Sequence, residues 1–240
     1  MGLNLTKNYS INFSINKRKK NSIKFIIIHY TGMRSEIAAI KKLTENSNVS
    51  SHYFIKSDGN IINMVPELFE AWHAGKSYWR DFRLLNKYSI GIEVHNPGHD
   101  HGYKKFNSRQ IISLKKLLKY LIKKYKIKLN NILGHSDIAP LRKLDPGERF
   151  PWKNLFKKKI GVWHKLNTNK LKTYRGKILK LQSKKFLNYL KNFGYSVEHN
   201  NYQELKKIIK IFQMRYRPEL VDGKLDLECF EIAKSLHNLE

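Results

Sequence analysis

The sequence predicts an α/β fold, a sheet covered by helices on both faces, followed by a small all-helical unit. Up to about residue 156, short β-branched apolar runs alternate with segments of helical periodicity. Beyond residue 176 only helical patterns remain, separated by Gly, Asn and Val-Asp-Gly turns. Size and composition agree: 240 residues allow one large domain or a medium domain plus a small one, and 41% hydrophobic with 12% aromatic content argues against a globally disordered chain.

The elements follow in order. IKFIIIHYTG (23–32) is a short apolar run ending in His29 and Gly32, a buried central strand. Residues 36–45 read as a helix. SHYFIKSDGNIINMV (51–65) holds two strand-like runs about an Asp-Gly turn, a hairpin signal. YSIGIEVHN (88–96) is another strand, with Glu93 inside it. SRQIISLKKLLKYLIKKY (108–125) has apolar residues at 111, 114, 117, 118, 121 and 122, a core-facing stripe beneath a lysine-rich face. NILGHSD (131–137) reads as a short strand ending at His135. Residues 157–176, basic and without strong periodicity, read as a connection. KILKLQSKKFLNYLKNFGY, YQELKKIIKIFQMRY and DLECFEIAKSLHNL then supply three helices, which sets the units at 1–165 and 177–240.

Charge and cysteine content narrow the function classes. The 47 Lys+Arg against 19 Asp+Glu give +28, which suggests a polyanionic partner. The lysines are scattered, without interleaved aromatics or a nucleic-acid motif, so a compositional bias is the better reading and no nucleic-acid partner is expected. The single Cys229 excludes an internal disulfide and a cysteine-rich zinc site, and its apolar helical setting reads as core. The first 30 residues show no apolar region with a small-residue cleavage site, and no run is long enough to span a bilayer.

The chemistry concentrates in GHSDIAPLRKLDPGERFPW (134–152), which sets a His, a Lys and an Asp in one Pro- and Gly-broken loop. His29 and His135 end two buried strands. With Asp145 they make two imidazoles and a carboxylate, a donor set that a catalytic zinc uses with its fourth position left for water. Lys143 stands two residues before Asp145, so an extended loop points both side chains into the same space. HNPGHDHG offers a rival set in His95, His99 and His101 with Asp100, though close spacing in a Gly-broken loop serves a rigid tetrahedral site poorly. His52 and His73 flank apolar and aromatic residues and fit either packing or a substrate groove. The residues alone leave these alternatives open.

Five co-linear segments, FIIIHYTG, SSHYFIKSDGNI, AWHAGKSYW, YSIGIEVHN and the 134–152 loop, together resemble the zinc-dependent N-acetylmuramoyl-L-alanine amidases of the AmpD/AmiD type, relatives of phage lysozyme-like amidases and peptidoglycan recognition proteins. The resemblance covers residues 25–152 and implies a central mixed β-sheet flanked by helices. It implies one zinc held by His29, His135 and Asp145, with Glu93 and Lys143 as catalytic partners and substrate contacts at His52, Trp72, His73 and Asn86. Phage-type relatives carry a tyrosine where this chain has Ser51 and lack an acid at the position of Glu93, so the acid/base role falls to Glu93. FLNYLKNFGYSV and IFQMRYRPELVDGKLDLECFEIA resemble a three-helix peptidoglycan-binding module, carried by Phe212-Gln213 and Asp222-Gly223. Such modules open their last helix with Thr where this chain has Cys229, which puts the helix cap in question.

The resemblance therefore implies hydrolysis of the amide between N-acetylmuramic acid, in plain or 1,6-anhydro form, and L-alanine in peptidoglycan or muropeptides. The alternative is a non-catalytic peptidoglycan recognition protein, which loss of a zinc ligand would mark. The wall-binding module favours the bacterial envelope (periplasm), while the missing signal leaves the cytoplasm open. A monomer is expected, with the second unit capturing polymer and taking no part in the chemistry.

Overall fold

The computed structural model describes residues 5–45, 47–179 and 181–239. Its centre is a six-stranded sheet of β1 (Leu5–Lys7), β2 (Phe25–Tyr30), β3 (Tyr53–Ile55), β4 (Ile61–Asn63), β5 (Ser89–Val94) and β6 (Ile132–Gly134), in the order β1-β4-β3-β5-β2-β6. Only the β3–β4 hairpin is antiparallel; the other neighbours are parallel, so the sheet is mixed as the resemblance implies. Phe25, Ile26, Ile27 and Ile28 are all fully buried, which fits a strand covered on both faces.

One face carries helix α1 (Glu36–Thr44), whose Ala39 and Leu43 pack on Phe54, Ile62 and Met64. The opposite face carries α2 (Ser108–Tyr125), the helix expected from its apolar stripe. Leu114, Leu117, Leu118 and Leu121 are fully buried, each contributing about 1.5–3 kcal/mol of transfer free energy. Asn107 and Gln110 form a reciprocal capping box that fixes where α2 begins.

Two expectations are corrected. The strand in NILGHSD stops at Gly134, and His135 opens a one-turn helix, α3 (His135–Ile138), because the Asp137 carboxylate accepts from Gly134 N at 2.7 Å and turns the chain. Residues 157–176 are not purely a connection. After a short helix α4 (Trp152–Phe156), Asn167 caps α5 (Thr168–Tyr174), which buries Leu171; seven residues are too few for a visible periodicity.

The last three helices are α6 (Ser183–Phe193), α7 (Tyr202–Tyr216) and α8 (Leu227–His237). The cap placed in question at Cys229 is present: Asp226 accepts from Cys229 N at 2.9 Å. This unit shares one continuous core with the sheet unit. Trp79 is fully buried against Phe193 and Tyr195, and a Cβ at Gly194 would stand 2.6 Å from the Trp79 ring. Arg215 of α7 stacks on Trp152 at 4.0 Å, donates to Ile132 O at 3.0 Å and pairs with Asp137, which also accepts from Tyr195 OH at 2.6 Å. Among the described residues no helix is long and apolar enough to cross a membrane.

Candidate metal centre and active-site cleft

Strand register assembles the site. His29 pairs with Glu93 across β2 and β5, so both side chains leave the same face. Ile28 pairs with Gly134 across β2 and β6, and one step further brings His135 level with His29. Asp145 arrives on the loop after α3, tied by Ser136 N donating to Asp145 O at 2.8 Å. Gly134 is required here, since a Cβ would lie 2.6 Å from the Pro146 ring that follows Asp145.

His29 Nδ1, His135 Nδ1 and Asp145 Oδ2 form a triangle with sides of 3.0, 2.9 and 3.1 Å. Hydrogen bonds explain this incompletely, because even with both imidazoles donating to Asp145 the two ring nitrogens stay 3.0 Å apart with no proton between them. Donors about 3 Å apart are what a shared zinc with bonds of roughly 2.0–2.1 Å requires. All three residues are buried, and among the described residues they are the one set of three such donors brought together. Two of the rival histidines are otherwise engaged. His99 sits between Tyr30 OH at 2.9 Å and Glu148 at 3.0 Å, and His95 Nδ1 meets Thr31 Oγ1 at 3.2 Å.

Electrostatics suits a cation. Burial and the neighbouring His135 push the His29 imidazole down to about 4, so it is neutral and able to ligate near pH 7. Burial opposes ionisation of Asp145, but His135 and His29 outweigh it and hold its carboxyl below the usual range. Glu93 goes the other way: burial and the Asp145 charge push it up to about 8, with Lys143 opposing. Its Oε2 is buried and has no partner. A buried carboxyl that exchanges its proton near neutral pH is a candidate for acid/base chemistry.

These groups line one cleft of about 370 Å³, whose walls include Trp72, His73, Glu93, Arg142 and Lys143 beside the three candidate ligands. Two expected substrate contacts lie elsewhere. His52 is fully buried outside the cleft wall, its Nδ1 accepting from Gly91 N at 2.9 Å and its Nε2 facing Phe69 O at 3.0 Å, so it ties the sheet to a loop. The Asn86 side chain accepts from His73 N at 3.1 Å and Ala74 N at 2.7 Å, which spends it on backbone. The sequence reading missed Tyr30, Lys42 and Arg142 in the cleft wall. Arg142 had a signal, since it stands in the same loop as Lys143; Lys42 had none, being one lysine among many.

A mixed sheet that gathers two histidines, an aspartate and a buried glutamate into one cleft has the donor set of a candidate metal-dependent hydrolase site. The chain belongs to the N-acetylmuramoyl-L-alanine amidase family, whose profile matches residues 19–148. It is 36% identical over 230 residues to the N-acetylmuramoyl-L-alanine amidase AmiD of Escherichia coli, spanning 89% of this chain and 82% of that protein. It is also 38% identical over 105 residues to the 1,6-anhydro-N-acetylmuramyl-L-alanine amidase AmpD of Haemophilus influenzae, covering 43% of this chain and 55% of the relative. Among solved structures, E. coli AmiD in complex with anhydro-N-acetylmuramic acid-L-Ala-D-γ-Glu-L-Lys superposes with a TM-score of 0.82 at 34% identity, over 94% of this chain and 92% of AmiD. AmpDh3 of Pseudomonas aeruginosa gives 0.81 at 31% identity, over 94% of each chain. Both superpositions extend through the helical unit.

Proposed function

We propose that this chain hydrolyses the amide between N-acetylmuramic acid, including its 1,6-anhydro form, and L-alanine in peptidoglycan or its fragments, using one zinc held by His29, His135 and Asp145. The observation that carries the reading is the 2.9–3.1 Å donor triangle in the same cleft as the unpartnered Glu93 oxygen. When bound, zinc supplies Lewis acidity for activating water and polarising the scissile carbonyl.

The chain's own residues do the rest. Glu93 takes the proton from the attacking water and delivers it to the departing alanine nitrogen, so the amine leaves neutral. The Lys143 ammonium stands where negative charge develops on the carbonyl oxygen, an effect worth on the order of a few kcal/mol. Trp72, half-buried in the wall, offers an apolar face to the sugar or peptide. The helical unit serves as the wall-binding module, and the envelope is the compartment where such a module acts. A recognition protein without catalysis would not need all three ligands and Glu93. Chelation should abolish release of free peptide from an anhydro-muropeptide and added zinc should restore it; full activity of the metal-free protein would refute the zinc reading.

A further inference from the structure

We propose that the His73–Ala74 dipeptide is an outer bracket of the metal centre that fixes the tautomers of both ligating histidines, with Asn86 and Ser89 as its positioning residues. This deepens the zinc reading above and rests on it. A zinc held through the two Nδ1 atoms requires each to be bare, so each Nε2 must keep the proton.

The hydrogen bonds settle the protons one at a time. Leu85 O can only accept, so the Ser89 hydroxyl donates to it, at 2.6 Å. Ser89 Oγ, its one proton spent, then accepts from His73 Nε2–H at 3.1 Å. His73, buried between Ser89 and His29, thus carries its one imidazole proton on Nε2. Its Nδ1 is therefore bare and accepts from His29 Nε2–H at 3.1 Å, which leaves His29 Nδ1 free for the metal. The next residue serves the second ligand. Ala74 O, again acceptor only, takes His135 Nε2–H at 3.1 Å, and the tautomer with its proton there presents a bare Nδ1.

The bracket is itself held. Asn86 Oδ1 accepts from both His73 N and Ala74 N, at 3.1 and 2.7 Å. Arg18 Nη1 donates to Asn86 O and Ser89 O, both at 2.8 Å, and Arg142 Nη2 donates to Ala74 O at 2.9 Å. The His73 ring packs against Gly91 of β5, where a Cβ would stand 2.5 Å from it. Only glycine at 91 admits the ring at this depth.

The test is zinc affinity, measured by competition with a chromogenic chelator on the full chain, together with histidine tautomers from long-range ¹H–¹⁵N correlations. The unsubstituted protein should bind one zinc, with His29, His73 and His135 all protonated on Nε2. His73→Leu and Ser89→Ala should each weaken zinc about 10–100-fold. His73→Asn, whose amide oxygen stands near the place of Nδ1, should stay within several-fold of the starting affinity. Unchanged affinity in a folded His73→Leu, or His73 protonated on Nδ1 in the zinc-loaded protein, would overturn the bracket. The tautomer measurement decides even where His73→Leu does not fold. Failure of the unsubstituted protein to bind one zinc would instead overturn the metal reading.

Discussion

Replacing Arg215 with Met removes the charge by which the helical unit grips the corner of the sheet unit that carries His135. Asp137 is 1% exposed and Arg215 3%, and the carboxylate lies two residues from His135. After Arg215→Met, Asp137 keeps the bonds from Gly134 N and Tyr195 OH but loses its countercharge. Stranding one member of a buried pair costs about 3–5 kcal/mol. The two surviving bonds put this case near the lower figure, about 3 kcal/mol. With a urea m value of about 3 kcal/mol/M for a chain of this size, the midpoint should fall by roughly 1 M. Asp137→Asn with Arg215→Met, which removes both charges, should recover most of that loss, whereas a contact energy lost with the arginine stem alone would persist. Equilibrium urea unfolding of the four proteins closes the cycle. A single variant within about 0.5 kcal/mol of the unsubstituted protein, with zinc affinity unchanged, would refute the buried grip. The same grip revises the expectation that the helical unit is dispensable for chemistry. Removing 177–240 uncovers Trp79 and strands Asp137 beneath His135, so activity on soluble muropeptide should fall together with polymer binding.

Glu93→Gln should keep zinc and lose about 10²–10⁴-fold in turnover, read by metal content and peptide release together. Lys143→Ala should retain zinc and lose on the order of 10²-fold in turnover; unchanged turnover would mean the lysine only solvates its loop. Asp145→Ala should release the metal, since two histidines alone hold it weakly, as dialysis against a mild chelator would show. Buried His29, His52 and His73 all have folded pKa values below the unfolded value of about 6.5, with His29 at about 4. The unfolded chain then binds more protons below pH 6.5, so the metal-free protein should lose stability steadily from pH 7 to 5. A flat urea midpoint across that range would contradict the neutral, buried assignment.

Much of this was legible from local pattern. The stripe of α2, the run ending in His29 and the Asp-Gly hairpin all formed where their periodicity placed them, because each element buries what its period aligns. The three donors were legible as strand-end histidines and a loop aspartate, and register brought them together. What the sequence hid was non-local. His52 and Asn86 look like groove residues in a motif, yet the His52 ring reaches backbone groups 39 and 17 residues away, and Asn86 Oδ1 accepts from backbone groups 12 and 13 residues away. The Arg215–Asp137 pair spans 78 residues, and no local spacing signals it.

Mass spectrometry of an anhydro-muropeptide incubated with the zinc-loaded protein, with Glu93→Gln as the control, reads the hydrolysis itself. The products should be equal amounts of anhydro-N-acetylmuramic acid and a peptide beginning at L-alanine, their summed mass exceeding the substrate by one water, with almost none of either from Glu93→Gln. An intact muropeptide in the presence of protein carrying one bound zinc, or cleavage at any other bond, would contradict the proposed hydrolysis.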